Sequence, residues 1–401
     1  MPIQNIHRVQ LMTPDTEIIA YFETPRDPLP LNYIAKGVAG VETIIAAINP
    51  RATEEVIRGI LRAAKKTKSV VIFELALSEM SLSGGYTGYT PKKFADRCKS
   101  AAEKEKWFAY SLHADHLTLK KGTDEEMANL MLEIKARIET GFTGFAIDTS
   151  FLFNREEQTV KGQLSEILSK GLILFAFIRE LMGEKPYGIE GEVGEIGIAD
   201  FTSVEEAVHY VSTLIKSDVF IDYLAIANGS THGVSVDAEG KVVPQLGINV
   251  QRTVEIVEEF KKMGVETRIA QHGITGTPVD VIASTFPHGS IAKGNIGTFW
   301  QRLVQDVLEK HEPELFTKIR SWVLEKYGKP DVDEHKTFAK NSKYAWKEFF
   351  DEVETINEGS KQTIISQAEI DMNDFIKALK MENTADLCFK YMVENFLTNT
   401  Y

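Results

Sequence analysis

Cysteine is nearly missing. Cys98 and Cys388 are the two present in 401 residues, too few and too isolated for a disulfide framework or a cysteine-rich zinc site. Any metal must therefore be held by histidine and carboxylates. No run of about 18 apolar residues occurs, which leaves no candidate membrane-spanning helix. The start, MPIQNIHRVQLM, lacks a basic stretch followed by an apolar segment of signal-peptide length. With so little cysteine, the expectation is a soluble, cytoplasmic protein. Positive charge is also in short supply: 45 Lys and Arg stand against 58 Asp and Glu, a formal net charge of -13. That mean field repels phosphate backbones and anionic membranes, so neither nucleic acid nor membrane is expected as a partner. A small anion site remains possible, because a few local N–H groups or one metal ion can overturn the mean field. Internal repeats and low-complexity tracts are absent too, and a chain that is 43% hydrophobic and 26% charged is an ordinary globular composition.

What is present is alternation. Eight short β-branched or apolar runs occupy Val41 to Ile48, Ser69 to Leu77, Trp107 to His113, Gly144 to Asp148, Tyr187 to Val193, Tyr223 to Asn228, Thr267 to His272 and Ser290 to Ile296. Between them lie ATEEVIRGILRAAKK, DEEMANLMLEIKARIET, SVEEAVHYVSTLI and NVQRTVEIVEEFKKMG, with apolar residues at three- and four-residue spacing, acids early and lysines late. Strands alternating with helices predict a parallel sheet, and eight strands are the number that closes an α/β TIM (β/α)8 barrel. The expected layout is an irregular N-terminal lead-in over 1–40 with Pro25, Pro28 and Pro30, a barrel over 41–302, and a C-terminal helical extension over 303–401, broken near Gly328 and Gly359.

In such a barrel the carboxyl ends of the strands build the site. Polar clusters fall there: HADH at 113 to 116, Asp148 with Thr149, EGE at 190 to 192, NGSTHG at 228 to 233, QHGITG at 271 to 276 and KGN at 293 to 295. His116, His232 and His272 follow the third, sixth and seventh runs, so closure of the barrel can bring three imidazoles around one ion, as an open catalytic Zn2+ site requires. His113, one residue before the expected loop, is read as structural. Asp115 can move a proton, orient a histidine or cap the following helix. Glu190 and Glu192 share one strand face and both point inward, where two carboxylates need a cation or a shared proton. The Gly-rich turns NGSTHG and HGITG, with KGNIGT, place a candidate phosphate cradle after strands seven and eight.

HADH, EGEVG, the Asn-to-HG turn, HGITG and KGNIGT stand in the order and approximate spacing of the class II, zinc-dependent ketose-bisphosphate aldolases, which the chain resembles from about Val41 to Thr298. The resemblance implies a TIM barrel and reversible cleavage of a ketose bisphosphate, such as fructose 1,6-bisphosphate, to dihydroxyacetone phosphate and glyceraldehyde 3-phosphate. Its partners are then phosphorylated ketoses and triose phosphates, and the implied assembly is a homodimer or higher homo-oligomer. It implies Zn2+, or another divalent ion in its place, on His116, His232 and His272, with Glu192 at a second or displaced metal position. Asp115 resembles the residue that activates the aldehyde oxygen. Gly233, Gly273, Thr275 and Thr298 resemble parts of the phosphate cradle, while Asn49 and Asn295 resemble asparagines that face the substrate.

The chain departs from the pattern in places. HGITG carries Ile274 where the family has a small residue, and Gly297 stands where an Asp is often found, so a different substrate preference is compatible with the sequence. The loop after the fifth run, GEIGIADFTS, is shorter than the family's acidic loop, with Glu195 and Asp200 as candidate bases. Alternative readings are a zinc-dependent sugar-phosphate isomerase or epimerase, which keeps the barrel and metal, and a non-catalytic aldolase-like protein that binds a metabolite.

Overall fold

Short runs of Val, Ile and Ala that are apolar at every position suit strands covered on both faces, as parallel sheets are. The computed structural model describes residues 14–194, 201–231, 235–237 and 242–397. All eight expected strands form: β1 Ile45–Ile48, β2 Val71–Ala76, β3 Tyr110–Thr118, β4 Gly144–Asp148, β5 Gly188–Val193, β6 Tyr223–Ile226, β7 Arg268–Gln271 and β8 Ile291–Ile296. They pair in parallel, each with its sequence neighbours, and β8 closes on β1 to complete a TIM (β/α)8 barrel. A helix follows each strand, among them Glu54–Lys66 after β1 and Thr298–His311 after β8.

The local chemistry explains these elements. Glu54–Lys66 opens on two acids, closes on two lysines, and buries Val56, Ile57, Ile60 and Leu61 at helical spacing. Val204–Lys216 begins with a capping box in which Ser203 and Glu206 satisfy each other's backbone N–H groups.

Two expectations are corrected. First, HADH does not follow β3 but lies inside it. The strand runs on to Thr118, with a register shift between Ala114 and Leu117, and His116 sits at φ +42. Such a bulge turns one side chain out of the alternation, and polar residues within a buried strand hide it from a reading based on hydrophobic runs. Asp115 therefore caps no helix; Thr123 caps the next one. Second, the lead-in is not wholly irregular. Helices Pro14–Glu23 and Leu31–Gly37 flank a stretch in which Pro25, Pro28 and Pro30 deny helical continuation. Leu31–Gly37 sits under the amino end of the barrel: the Leu29 N–H donates to the Tyr110 carbonyl at 2.7 Å, and Leu31 packs where Gly144 and Gly188 lack a Cβ.

The helices after Thr298–His311 pack onto the barrel. Glu358–Leu379 lies so close to Glu54–Lys66 that a Cβ on Gly59 would fall 2.4 Å from the Ile365 carbonyl oxygen. Another part of the extension grips the loop after β2. Phe350 stacks edge-on against Tyr89 at 5.5 Å, Arg97 pairs with Glu354, and Lys347 donates to the Ser83 carbonyl at 3.0 Å.

Candidate active site

Period-two alternation aims one face of each strand into the barrel, and at its centre that face is charged. Lys293 of β8, fully buried, donates to Glu190 of β5 at 2.8 Å and to Glu74 of β2 at 2.9 Å. Glu74 also contacts His113 Nδ1 at 2.8 Å and accepts from Asn295 at 2.6 Å. Isolated, any of these charges would be costly to bury; as a set each meets an opposite charge or a donor. Burial pushes the Glu74 carboxyl up to about 7 despite Lys293. Burial and Lys293 together hold the His113 imidazole down to about 3, so it is neutral. Although burial opposes its charge, Lys293 is kept above the usual lysine range by Glu190 and Glu74. His113 thus lies fully buried between Glu74 and Glu190.

One layer nearer the carboxyl end, donor atoms of Asp115, His116, Glu192 and His272 all lie within 4.8 Å of one another. The bulge in β3 delivers His116 to this cluster, and His272 arrives directly after β7. His116 Nε2 faces His272 Nδ1 at 2.9 Å. Behind them, His116 Nδ1 lies 3.0 Å from Glu192 and His272 Nε2 lies 2.9 Å from Glu190. Two neutral imidazoles that each give their N–H to a carboxylate turn two lone pairs toward each other, which needs a shared proton or a cation between them. Glu192 Oε1 is also buried with no hydrogen-bond partner. Burial works against a charged His116, but Glu192, Asp115 and Asp148 hold its pKa well above the ordinary value. Burial and the Asp148 charge push Glu192 up to about 8. The donor set therefore suits a divalent ion.

The cluster opens on a cavity of about 750 Å³ at the barrel mouth. Asn49, at the end of β1, donates to Glu79 at 3.0 Å, and Asn295 Nδ2 reaches Asp115 at 3.3 Å. Gly273 adopts φ +71, and a Cβ there would lie 2.5 Å from the Thr231 carbonyl oxygen, so glycine is required. Thr275 Oγ1 accepts from the Gly297 N–H at 3.1 Å, and Thr298 begins the helix after β8. Gly273, Thr275 and Thr298 all line the cavity, so the structure brings them together at the rim. His232, Gly233, Glu195 and Asp200 lie outside the described residues.

Several groups in and around this cavity had no role in the sequence reading. Glu74 is a single charge within an apolar strand, and that intrusion was the available signal, while Lys293 entered only as part of the KGN cluster and not as the partner of two glutamates. Arg51, Glu79 and Lys343 carried none, because loops and a distant helical segment bring them together.

The class-II fructose-bisphosphate aldolase family model matches residues 34–355. The chain belongs to that family. Membership extends the resemblance past the barrel into the extension. No curated protein matches the chain in sequence. Among solved structures, similar folds include a probable tagatose 6 phosphate kinase from Sinorhizobium meliloti 1021 (TM-score 0.58, 16% identity, 89% of this chain and 99% of that one). Others are the YdjI aldolase from Escherichia coli K12 (0.54, 15%, 89% and 99%) and a fructose-bisphosphate aldolase from Campylobacter jejuni (0.52, 19%, 88% and 95%). At these identities the likeness is one of fold. No helix among the described residues is long and apolar enough to cross a membrane.

Proposed function

We propose that the chain is a metal-dependent aldolase that reversibly cleaves a ketose bisphosphate, with fructose 1,6-bisphosphate the first substrate to test. The observation that carries this is the pair of imidazoles facing each other at 2.9 Å, each backed by a buried glutamate. His116 and His272, with His232 from the sequence, would hold Zn2+ or a similar ion, and Glu192 offers a further oxygen. When bound, such an ion supplies a Lewis acid that polarises a carbonyl oxygen.

The chain's own residues do the rest. Asp115, steadied by Asn295 at 3.3 Å, takes the hydroxyl proton as the carbon–carbon bond breaks and returns it in condensation. A base from the segment holding Glu195 and Asp200 exchanges the proton on the other reacting carbon. Gly233, Gly273, Thr275 and Thr298 hold a phosphate, the last at a helix N-terminus that favours anions. Asn49 faces the substrate from β1. Binding energy far from the reacting carbons then fixes their alignment. Phosphorylated ketoses and trioses are the partners on this reading, in a cytoplasmic homo-oligomer.

The test is triose phosphate release from fructose 1,6-bisphosphate before chelation, after it, and after Zn2+ is restored. Cleavage lost and regained with the metal supports the reading. No cleavage with zinc demonstrably bound would overturn it and favour isomerisation or binding without turnover.

A further inference from the structure

The loop after β2, residues 77–90, folds back over one buried carboxylate. Glu79 is 3% exposed. Its Oε1 accepts from Arg51 Nε at 2.6 Å and from the Tyr86 hydroxyl at 2.9 Å, while its Oε2 accepts from Asn49 Nδ2 and the Ala76 N–H, both at 3.0 Å. Arg51 in turn donates to Thr298 Oγ1 at 3.0 Å. Two groups assigned to the substrate, Asn49 and Thr298, are therefore oriented from one point. Burial opposes the Glu79 charge, yet Arg51, the Ala76 N–H, Asn49 and Tyr86 together hold its carboxyl below the ordinary range.

This loop is held from two sides. Residues 80–82 are fastened by the helix Asp124–Glu139, where Arg137 donates to the Met80 carbonyl at 2.6 Å and Glu133 accepts from the Leu82 N–H at 2.9 Å. The returning half, which brings Tyr86 to Glu79, meets the C-terminal extension. Lys347 donates to the Ser83 carbonyl at 3.0 Å, and the Tyr344 ring lies 5.6 Å from the Tyr86 ring. Phe350 lies edge-on to Tyr89 at 5.5 Å and against Gly88, where φ is +86 and a Cβ would fall 2.9 Å from its ring. Glycine is what lets the ring come this close. Glu354 pairs with Arg97 on the helix that follows the loop. Thr87 closes the return by donating its Oγ1 hydrogen to the Glu79 carbonyl at 2.7 Å.

We propose that Glu79 is a positioning residue for the substrate, and that residues 342–354 of the extension set substrate affinity by holding the Tyr86 half of the loop against it. The proposal rests on the aldolase reading and deepens it. Both Glu79 oxygens are committed to protein donors, so it acts through Asn49 and, by way of Arg51, through Thr298. Side chains ordered before binding have less freedom to lose when substrate arrives. The histidine cluster draws its groups from β3, β5 and the end of β7, so loosening the strap should weaken substrate binding and leave the metal in place.

The test is a double-mutant cycle on fructose 1,6-bisphosphate cleavage, with zinc content measured alongside. Phe350→Ala should raise KM by about tenfold, with kcat within about twofold and zinc stoichiometry unchanged, the pattern of lost uniform binding. Glu79→Gln leaves one oxygen where two stood and should raise KM by about as much or more. In the double variant the Phe350→Ala effect should shrink to under about twofold, because both changes act through the same contact. Effects that simply multiply would mean that the ring supports the fold without reaching Glu79, and would overturn the proposal. So would an unchanged KM in Phe350→Ala, or kcat and zinc falling together. A second readout needs no turnover. Amide exchange at Tyr86 and Thr87, whose N–H groups donate to the Ser78 and Glu79 carbonyls, should quicken by about tenfold or more in Phe350→Ala. Unchanged exchange sinks the strap even in an active aldolase. If Phe350→Ala fails to fold, Lys347→Met combined with Glu354→Gln loosens the same contact from its solvent side and is read in the same way. If Glu79→Gln fails to fold, the KM and kcat split and the exchange in Phe350→Ala decide. If no aldol cleavage is found while exchange quickens as expected, the proposed reaction fails and the strap stands.

Discussion

The two ends of the barrel solve the same packing problem in opposite ways. At the amino end, Leu31 fills the space left by Gly144 and Gly188, so apolar bulk and absent side chains do the sealing. Toward the carboxyl end, Lys293, Glu74, Glu190, His113, Asp115, His116, Glu192 and His272 crowd together, all but His116 buried. The difference shows what each end tolerates. An apolar plug is sensitive to volume, whereas a buried polar network is sensitive to the loss of any one partner, because the survivor is left with an uncompensated charge.

The sharpest way to break the comparison is at the carboxyl end. His116→Ala or His272→Ala should abolish stoichiometric zinc, read by metal analysis, and lower kcat/KM by about a thousandfold, since several kcal/mol of charge stabilisation are lost. Retained metal and cleavage would refute the assignment. Lys293→Met, one layer below, tests stability more than chemistry. It leaves Glu74 and Glu190 facing each other, and urea unfolding should show a loss of about 3–5 kcal/mol. A loss under about 1 kcal/mol would mean that the network is not held by its lysine.

At the amino end the expected effects are smaller and steric. Gly188→Ala brings a Cβ to 2.7 Å from the Asn32 backbone nitrogen and should cost about 1–3 kcal/mol in the same unfolding assay. The kcat of the folded fraction should not change; a parallel fall in kcat would show that the two ends are coupled. The smallest effect sharpens the contrast through pH. Asp222, just before β6, accepts from the Ile189 N–H at 2.9 Å, and burial pushes its carboxyl up to about 6. Because the folded pKa lies above the unfolded value of about 3.9, the unfolded chain loses the proton first. This residue's contribution to stability is therefore fully present below about pH 4 and falls as pH rises through about 6. Asp222→Asn should flatten that slope and leave stability above pH 6 equal or higher, measured by thermal unfolding across pH 4 to 8. A slope identical to wild type would remove Asp222 as its source.

Much of this was legible in the chain. Eight apolar runs separated by amphipathic segments suffice for the barrel, because strand and helix periodicities are local properties. The strand-end reading placed Asp115, Glu192, His272 and Asn295 near their observed surroundings, since strand direction decides which end of a residue run faces the mouth. His116 was expected after the third strand and lies within it: a bulge at a polar stretch looks, in sequence, like the end of a strand. The helices of the lead-in were hidden by the prolines between them.

The sequence by itself determined the alternation, the number of strands, the family motifs and the inward face of β5, all of which depend on spacing within a few residues. The tertiary structure alone decided that Lys293 would be shared by two glutamates from non-adjacent strands, that two imidazoles would meet nitrogen to nitrogen, and that Arg51 and Lys343 would line one cavity. Barrel closure and the docking of the extension create those contacts between residues far apart in the chain, and no local pattern encodes where such partners come to rest.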